Sequence, residues 1–271
     1  MTARRIRDAR PWWARRLPNC LRVLQRHRTI APMVTTWNGI EVGTGFPVAA
    51  FDRAYDATVV RTPGIYASDL EAGVDISGIK TEITTAFQAV AYRHRRARET
   101  ALELAALVDL SREDRSADWH FTTQTRLFEF FVALHSAFES SFYGLYFAGS
   151  RLAGQSFPLA ADPVTYKRIN AGSTVKAFET AWPNGLLAAA MSVLIADDVY
   201  KDLAEVRNVL AHRIAPGFEH RLTLGAAEEE YELAWRGQPL ATLIPTTLHT
   251  GEEALAALWE AAAHFFAPQP A

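Results

Sequence analysis

Arg207, Asn208 and His212 sit in the run Arg207-Asn208-Val209-Leu210-Ala211-His212, which brings a guanidinium, a carboxamide and an imidazole into one short stretch. The imidazole titrates near neutrality, so it can take or give a proton. The planar fork of an arginine suits phosphate oxygens, whose charge grows in the transition state. A carboxamide can orient either partner by hydrogen bonding. These types suit phosphodiester cleavage in RNA without a metal. A base removes the 2′-OH proton, an acid protonates the leaving 5′-oxygen, and the ends are a 2′,3′-cyclic phosphate and a 5′-OH.

The element that carries them reads as a helix over 197–214. Asp197 and Asp198 suit its start. Val199, Leu203, Val206, Leu210 and Ile214 recur at heptad-like spacing and form a packing seam. At about 100° per residue, Lys201, Glu205, Asn208 and His212 share a polar stripe opposite that seam, while Arg207 lies about 140° from His212. One such helix supplies the parts of a site but not a closed pocket. Two of them facing each other across a two-fold axis would close it. Glu205 has two roles open: fixing the His212 tautomer, or pairing with Arg207 or Lys201. His135 and Glu139, one turn apart on an aromatic helix, join the site only if that helix neighbours this one; otherwise they are a buried pair satisfied by each other.

The pattern R-N-x-x-x-H near the end of a late helix resembles the HEPN superfamily, whose members share an Arg, a polar neighbour and a His after a short spacer. Spacing alone is loose, since Arg22/His27, Arg115/His120 and Arg213/His220 also satisfy it; of these hits only Arg207 is followed by a permitted polar residue. The resemblance covers about residues 120–267. It implies an α-helical bundle that dimerises around a composite site, with Arg207, Asn208 and His212 as the catalytic set. It further implies a metal-independent endoribonuclease with no cofactor, acting on RNA as a toxin or defence effector, in company with an antitoxin or a nucleotidyltransferase. Two alternatives stay open. One is a non-catalytic HEPN-like module that binds nucleotide or RNA beside a partner protein. The other is an unrelated helical interaction protein.

The rest of the chain is consistent with a mainly α fold. Thr81–Val108 and Thr122–Leu152 read as helices, the second striped with Phe128, Phe130, Phe131, Leu134, Phe138, Phe142, Leu145, Tyr146 and Phe147. The Arg93–Arg98 interval reads as a solvated face or a bend. Shorter helices are expected near Ser173–Ala181 and Gly185–Ile195, with Asn184 capping the latter. A small β-hairpin is expected within 221–245, with Ala241–Pro245 as a possible return strand, and a closing helix over Gly251–Phe266. Residues 31–78 read as an irregular region of short strands and loops, broken by Gly43, Gly45, Pro47, Pro63 and Gly64. The helical bundle is expected over 79–267.

Of the 271 residues, 49% are hydrophobic and 21% charged, which excludes wholesale disorder. The single cysteine, Cys20, excludes an internal disulfide or a cysteine zinc site and suits a cytoplasmic setting. No apolar run reaches membrane-spanning length. The net charge of −2 conceals nine arginines and one acid in residues 1–28. Residues 1–30 read as a basic segment. It is a polyanion-binding arm, a flexible tail, or a stretch upstream of a true start at Met33.

Overall fold

The computed structural model describes residues 36–37, 40–42, 45–60, 76–110, 114–212, 219–223 and 230–267. Side chains at 36, 40, 41, 60, 76, 77, 211, 212, 219–223 and 230–232 fall outside that description. So does the basic segment 1–30. The described residues belong to one compact unit, Val34–Ala271.

The fold is mainly α. Its axis is a helical hairpin. Helix α2 (Ile76–Val108) and helix α3 (Trp119–Ser150) run antiparallel. Tyr143 Oη donates to Glu82 Oε2 at 2.7 Å, Arg96 Nη2 to Glu129 Oε2 at 2.6 Å, and Trp119 Nε1 to the Leu107 carbonyl at 2.9 Å. At 1.5 Å per residue α3 is about 48 Å long. The Phe stripe becomes the core: Phe130, Phe138, Phe142 and Phe147 are fully buried. Each buried aromatic of this size contributes about 1.5–3 kcal/mol through removal from water.

Helix α2 runs without a break through Arg93–Arg98, and that interval is not a solvated face. His94 and Ala97 are buried, and Arg96 and Arg98 reach across to carboxylates on other helices. Arginines taken up by groups on their own and on neighbouring helices look the same in sequence as charges facing water.

Helix α1 (Val48–Tyr55) and a π-helical turn (Asp56–Val60) correct the expectation of strands and loops alone over 31–78. Among the described residues of this region the strands are two short antiparallel ones, β1 (Thr36–Trp37) and β2 (Ile40–Glu41). Phe51 and Ala54, one helical step apart, turn α1 inward. Phe51 packs at 4.6 Å centroid distance on Trp259 and 4.8 Å on Trp37. Residues 43–44 and 61–75 lie outside the described residues.

Three short 3-10 turns follow α3 and lead to α4 (Ala171–Ala181), which opens on a reciprocal cap between Asn170 and Ser173. Helix α5 (Leu186–Ala196) starts after Gly185, not on an Asn184 cap. Asn184 instead takes the left-handed conformation (φ 71°) that a short polar side chain tolerates. Helix α6 (Asp198–His212) comes next. Strands β3 (Glu219–Thr223), β4 (Glu230–Trp235) and β5 (Gln238–Pro239) form an antiparallel sheet in chain order. The expected hairpin is therefore present, but Ala241–Pro245 does not return as a strand. It lies in helix α7 (Leu240–Phe266), which starts 11 residues before the expected Gly251 and carries Pro245. Pro245 is the sixth residue of that helix, past the first-turn donors that lack acceptors, so it leaves the Ala241 carbonyl without its usual helical donor. Among the described residues no helix is long and apolar enough to cross a membrane.

Candidate functional site

Helix α6 begins where the acid pair suggests. Asp197 Oδ1 accepts from the Val199 amide at 2.8 Å, a capping bond that satisfies one orphan donor of the first turn. Leu203, Val206 and Leu210 are buried, so the heptad-like seam is the packing face. That face lies on α3, and it carries Tyr200 with it. The Tyr200 ring sits 5.7 Å from His135, and edge-on to Phe138 at 5.8 Å and Phe142 at 6.0 Å.

With α3 and α6 in contact, His135 and Glu139 do meet the motif. Arg207 Nη2 lies 3.5 Å from Glu139 Oε2, while its Nη1 donates to Asn208 Oδ1 at 3.0 Å. His135 Nδ1 stands 3.7 Å from that same Glu139 oxygen. This separation is too long for a hydrogen bond. Both His135 ring nitrogens lack a hydrogen-bond partner among the described residues, although the side chain is only 5% exposed. The expectation of a mutually satisfied buried pair is corrected: the imidazole is buried and unsatisfied, and Glu139 is 42% exposed. The reason is geometric. Residues one turn apart share a face, but α6 screens His135 and leaves the longer Glu139 side chain at the rim.

The electrostatics follow. The His135 ring beside it, with Arg207 and Arg93, holds the Glu139 carboxyl below the usual carboxylate range against the opposing effect of burial. Glu139 is therefore ionised at neutral pH. Burial, reinforced by the Glu139 charge, pushes the Tyr200 phenol up to about 12, so Tyr200 stays protonated.

Arg207 is 29% exposed and Asn208 is exposed, so both can be reached from solvent. His212 closes α6 as its last residue, and its side chain lies outside the described residues. Glu205 does not pair with Arg207 or Lys201. It accepts from Arg236 Nη2 at 2.7 Å, with both side chains about half exposed. Lys201 Nζ donates instead to the Ala196 carbonyl.

Sequence reasoning missed Tyr200 and Arg93. Tyr200 is polar at its tip and stood one place off the seam. Arg93 opens the basic run that read as solvated, yet its Nη1 donates to the Ser136 carbonyl at 3.0 Å and to Ser140 Oγ. Neither residue has a local signal, because each is placed by a helix tens of residues away. No group of three or more His, Cys, Asp or Glu that could hold a metal occurs among the described residues. The chain matches none of the protein-family models, curated proteins or solved structures with which it was compared.

Proposed function

We propose that the chain is a HEPN-type endoribonuclease that works without a metal, a cytoplasmic toxin or defence effector acting on RNA as a homodimer. The observation that carries this reading is the state of Arg207. Its fork is solvent-accessible, is held at 3.5 Å by one half-exposed carboxylate, and stands beside the exposed Asn208 on the helix that ends in His212. An arginine that served only to tie two helices together would be expected to make a close bidentate pair.

The roles follow from the residue types. Arg207 takes charge on the non-bridging phosphate oxygens as the 2′-oxygen attacks, and Asn208 orients the phosphate or the imidazole. His212 of one copy removes the 2′-OH proton, and His212 of the other gives a proton to the departing 5′-oxygen. The O2′–P bond forms as the P–O5′ bond breaks, leaving a 2′,3′-cyclic phosphate and a 5′-OH. No electron donor or acceptor is needed. For a second copy the fold offers an apolar stripe on α5, where Leu186 and Val193 are each 70% exposed and seven residues apart. An antitoxin or a nucleotidyltransferase would be the protein partner.

The test is cleavage of RNA by the purified chain in EDTA. Cuts ending in 2′,3′-cyclic phosphate, lost in His212→Ala with RNA binding kept, are the expected result. RNA bound but uncut by the wild type would leave the binding-module alternative standing. RNA neither bound nor cut would end both. Expression of the wild type should arrest growth, and Arg207→Ala/His212→Ala should not.

A further inference from the structure

Glu139 has a guanidinium on each side. Arg207 reaches it from α6, and Arg93 reaches the same turn of α3 from α2. Arg93 Nη1 donates to the carbonyl of Ser136, three residues before Glu139, and to the hydroxyl of Ser140, one residue after it. Other arginines in this run are paired differently. Arg96 faces Glu129, Glu99 and Glu103, and Arg98 faces Glu252. Arg93 makes no ion pair with a carboxylate among the described residues; both its acceptors are neutral.

The surroundings keep this spot open. Helix α3 is buried over most of its length, and Glu129, Val132, Ser136, Glu139 and Tyr143 form a partly exposed stripe at helical spacing. Two guanidiniums against one carboxylate leave an excess of positive charge there. The carboxylate itself is loosely held, 42% exposed and 3.5 Å from Arg207.

We propose that Arg93 and Arg207 form a two-pronged seat for an RNA phosphodiester, and that Glu139 fills it in the free protein and swings aside when phosphate arrives. This rests on the ribonuclease reading above. A phosphodiester offers two oxygens to a forked donor, which makes short charge-assisted bonds that the long Glu139 contact does not. Releasing Glu139 costs little, because ion pairs this exposed contribute little to stability. The sign of the Glu139 effect discriminates. A carboxylate that merely positions Arg207 aids binding, whereas a resident occupant competes with it.

The experiment titrates a short 2′-O-methyl oligoribonucleotide, which cannot be cut, into the full-length chain at several salt concentrations. Glu139→Gln should bind it about threefold to tenfold more tightly through loss of like-charge repulsion. Arg93→Gln should bind about fivefold to twentyfold more weakly and flatten the log–log salt slope by about 0.7, the value for one lost phosphate contact on a single strand. Arg93→Lys should keep the slope. Ser140→Ala removes a hydrogen bond from Arg93 but not its charge, and should leave both affinity and slope unchanged. The seat is overturned if Arg93→Gln leaves the slope unaltered, if Ser140→Ala reproduces its loss, or if Glu139→Gln weakens binding. Loss in Arg207→Gln without loss in Arg93→Gln overturns the seat and spares the ribonuclease reading. A wild type that ignores the oligonucleotide overturns both.

Discussion

Arg93 and His94 are neighbours on α2, and each joins a cluster of arginine, histidine and glutamate with a different character. His94 turns inward. Its Nε2 lies 3.1 Å from Glu252 Oε1, which also accepts from Arg98 Nη1 at 2.8 Å. His94 is fully buried and Glu252 only 12% exposed. Arg93 turns toward the open stripe of α3, where Glu139 is 42% exposed and its partners stand at 3.5 and 3.7 Å. The same side-chain types thus make a closed clamp on one side of the helix and a loosely filled opening on the other. In the first, distance and burial commit the charges to holding α7 against α2. In the second the charges remain available. Residue type alone does not separate a tightly closed ion cluster from a loosely held one; contact length and exposure of the carboxylate do.

The comparison can be pressed hardest at His212 and Arg207. On the proposed ribonuclease reading, His212→Ala should lower RNA cleavage about 10²- to 10⁴-fold, the usual contribution of a general acid or base. Arg207→Ala should do comparable damage. If Arg207→Ala cleaved normally, the open cluster would have no part in cleavage, and if His212→Ala did, the proposed ribonuclease reading would fall. In the closed cluster the effect should fall on stability instead. Glu252→Ala leaves the buried His94 without its partner and the partly exposed Arg98 without its carboxylate, and should cost about 1–3 kcal/mol in chemical denaturation. Glu139→Gln should cost less than about 1 kcal/mol. Equal costs would erase the distinction drawn here.

Between these lies a packing test. A Cβ at Gly149 would meet the Phe157 ring at 2.4 Å and the Phe178 ring at 2.8 Å, so Gly149→Ala should cost about 1–3 kcal/mol. The smallest effect is on pH. Burial alone would raise the Glu252 carboxyl, but His94 and Arg98 outweigh it and hold the group below the usual range. A depressed folded pKa contributes stability that is present above the unfolded value, near 4.3, and is lost as pH falls through the folded one. The melting midpoint should therefore drop as the solution is acidified below about pH 4.5, and Glu252→Gln should flatten that drop.

Much of the framework was legible because it is local. The Phe stripe of α3 and the seam Leu203, Val206, Leu210 announce buried faces through spacing alone, since side chains three and four apart share one side of a helix. Helix α1 was not legible. Val48–Tyr55 is short, follows Pro47 and stands among breakers, and it is held by Trp37, Phe87 and Trp259 rather than by its own periodicity. The first turns of α7 were hidden by Pro245, a residue that ordinarily argues against a helix interior.

By its own pattern the sequence determined the long helices, the inward faces of α3 and α6, and that Arg207, Asn208 and His212 share one helix. Backbone hydrogen bonding and side-chain period act over a few residues, so they can be read along the chain. Only the tertiary structure decided that α3 would lie under α6. It likewise decided that Glu205 would turn to Arg236, that His135 would be covered without a partner, and that Arg93 and His94 would face different neighbours. Those outcomes depend on which distant helix supplies the opposing charge, and adjacent residues on a helix point about 100° apart.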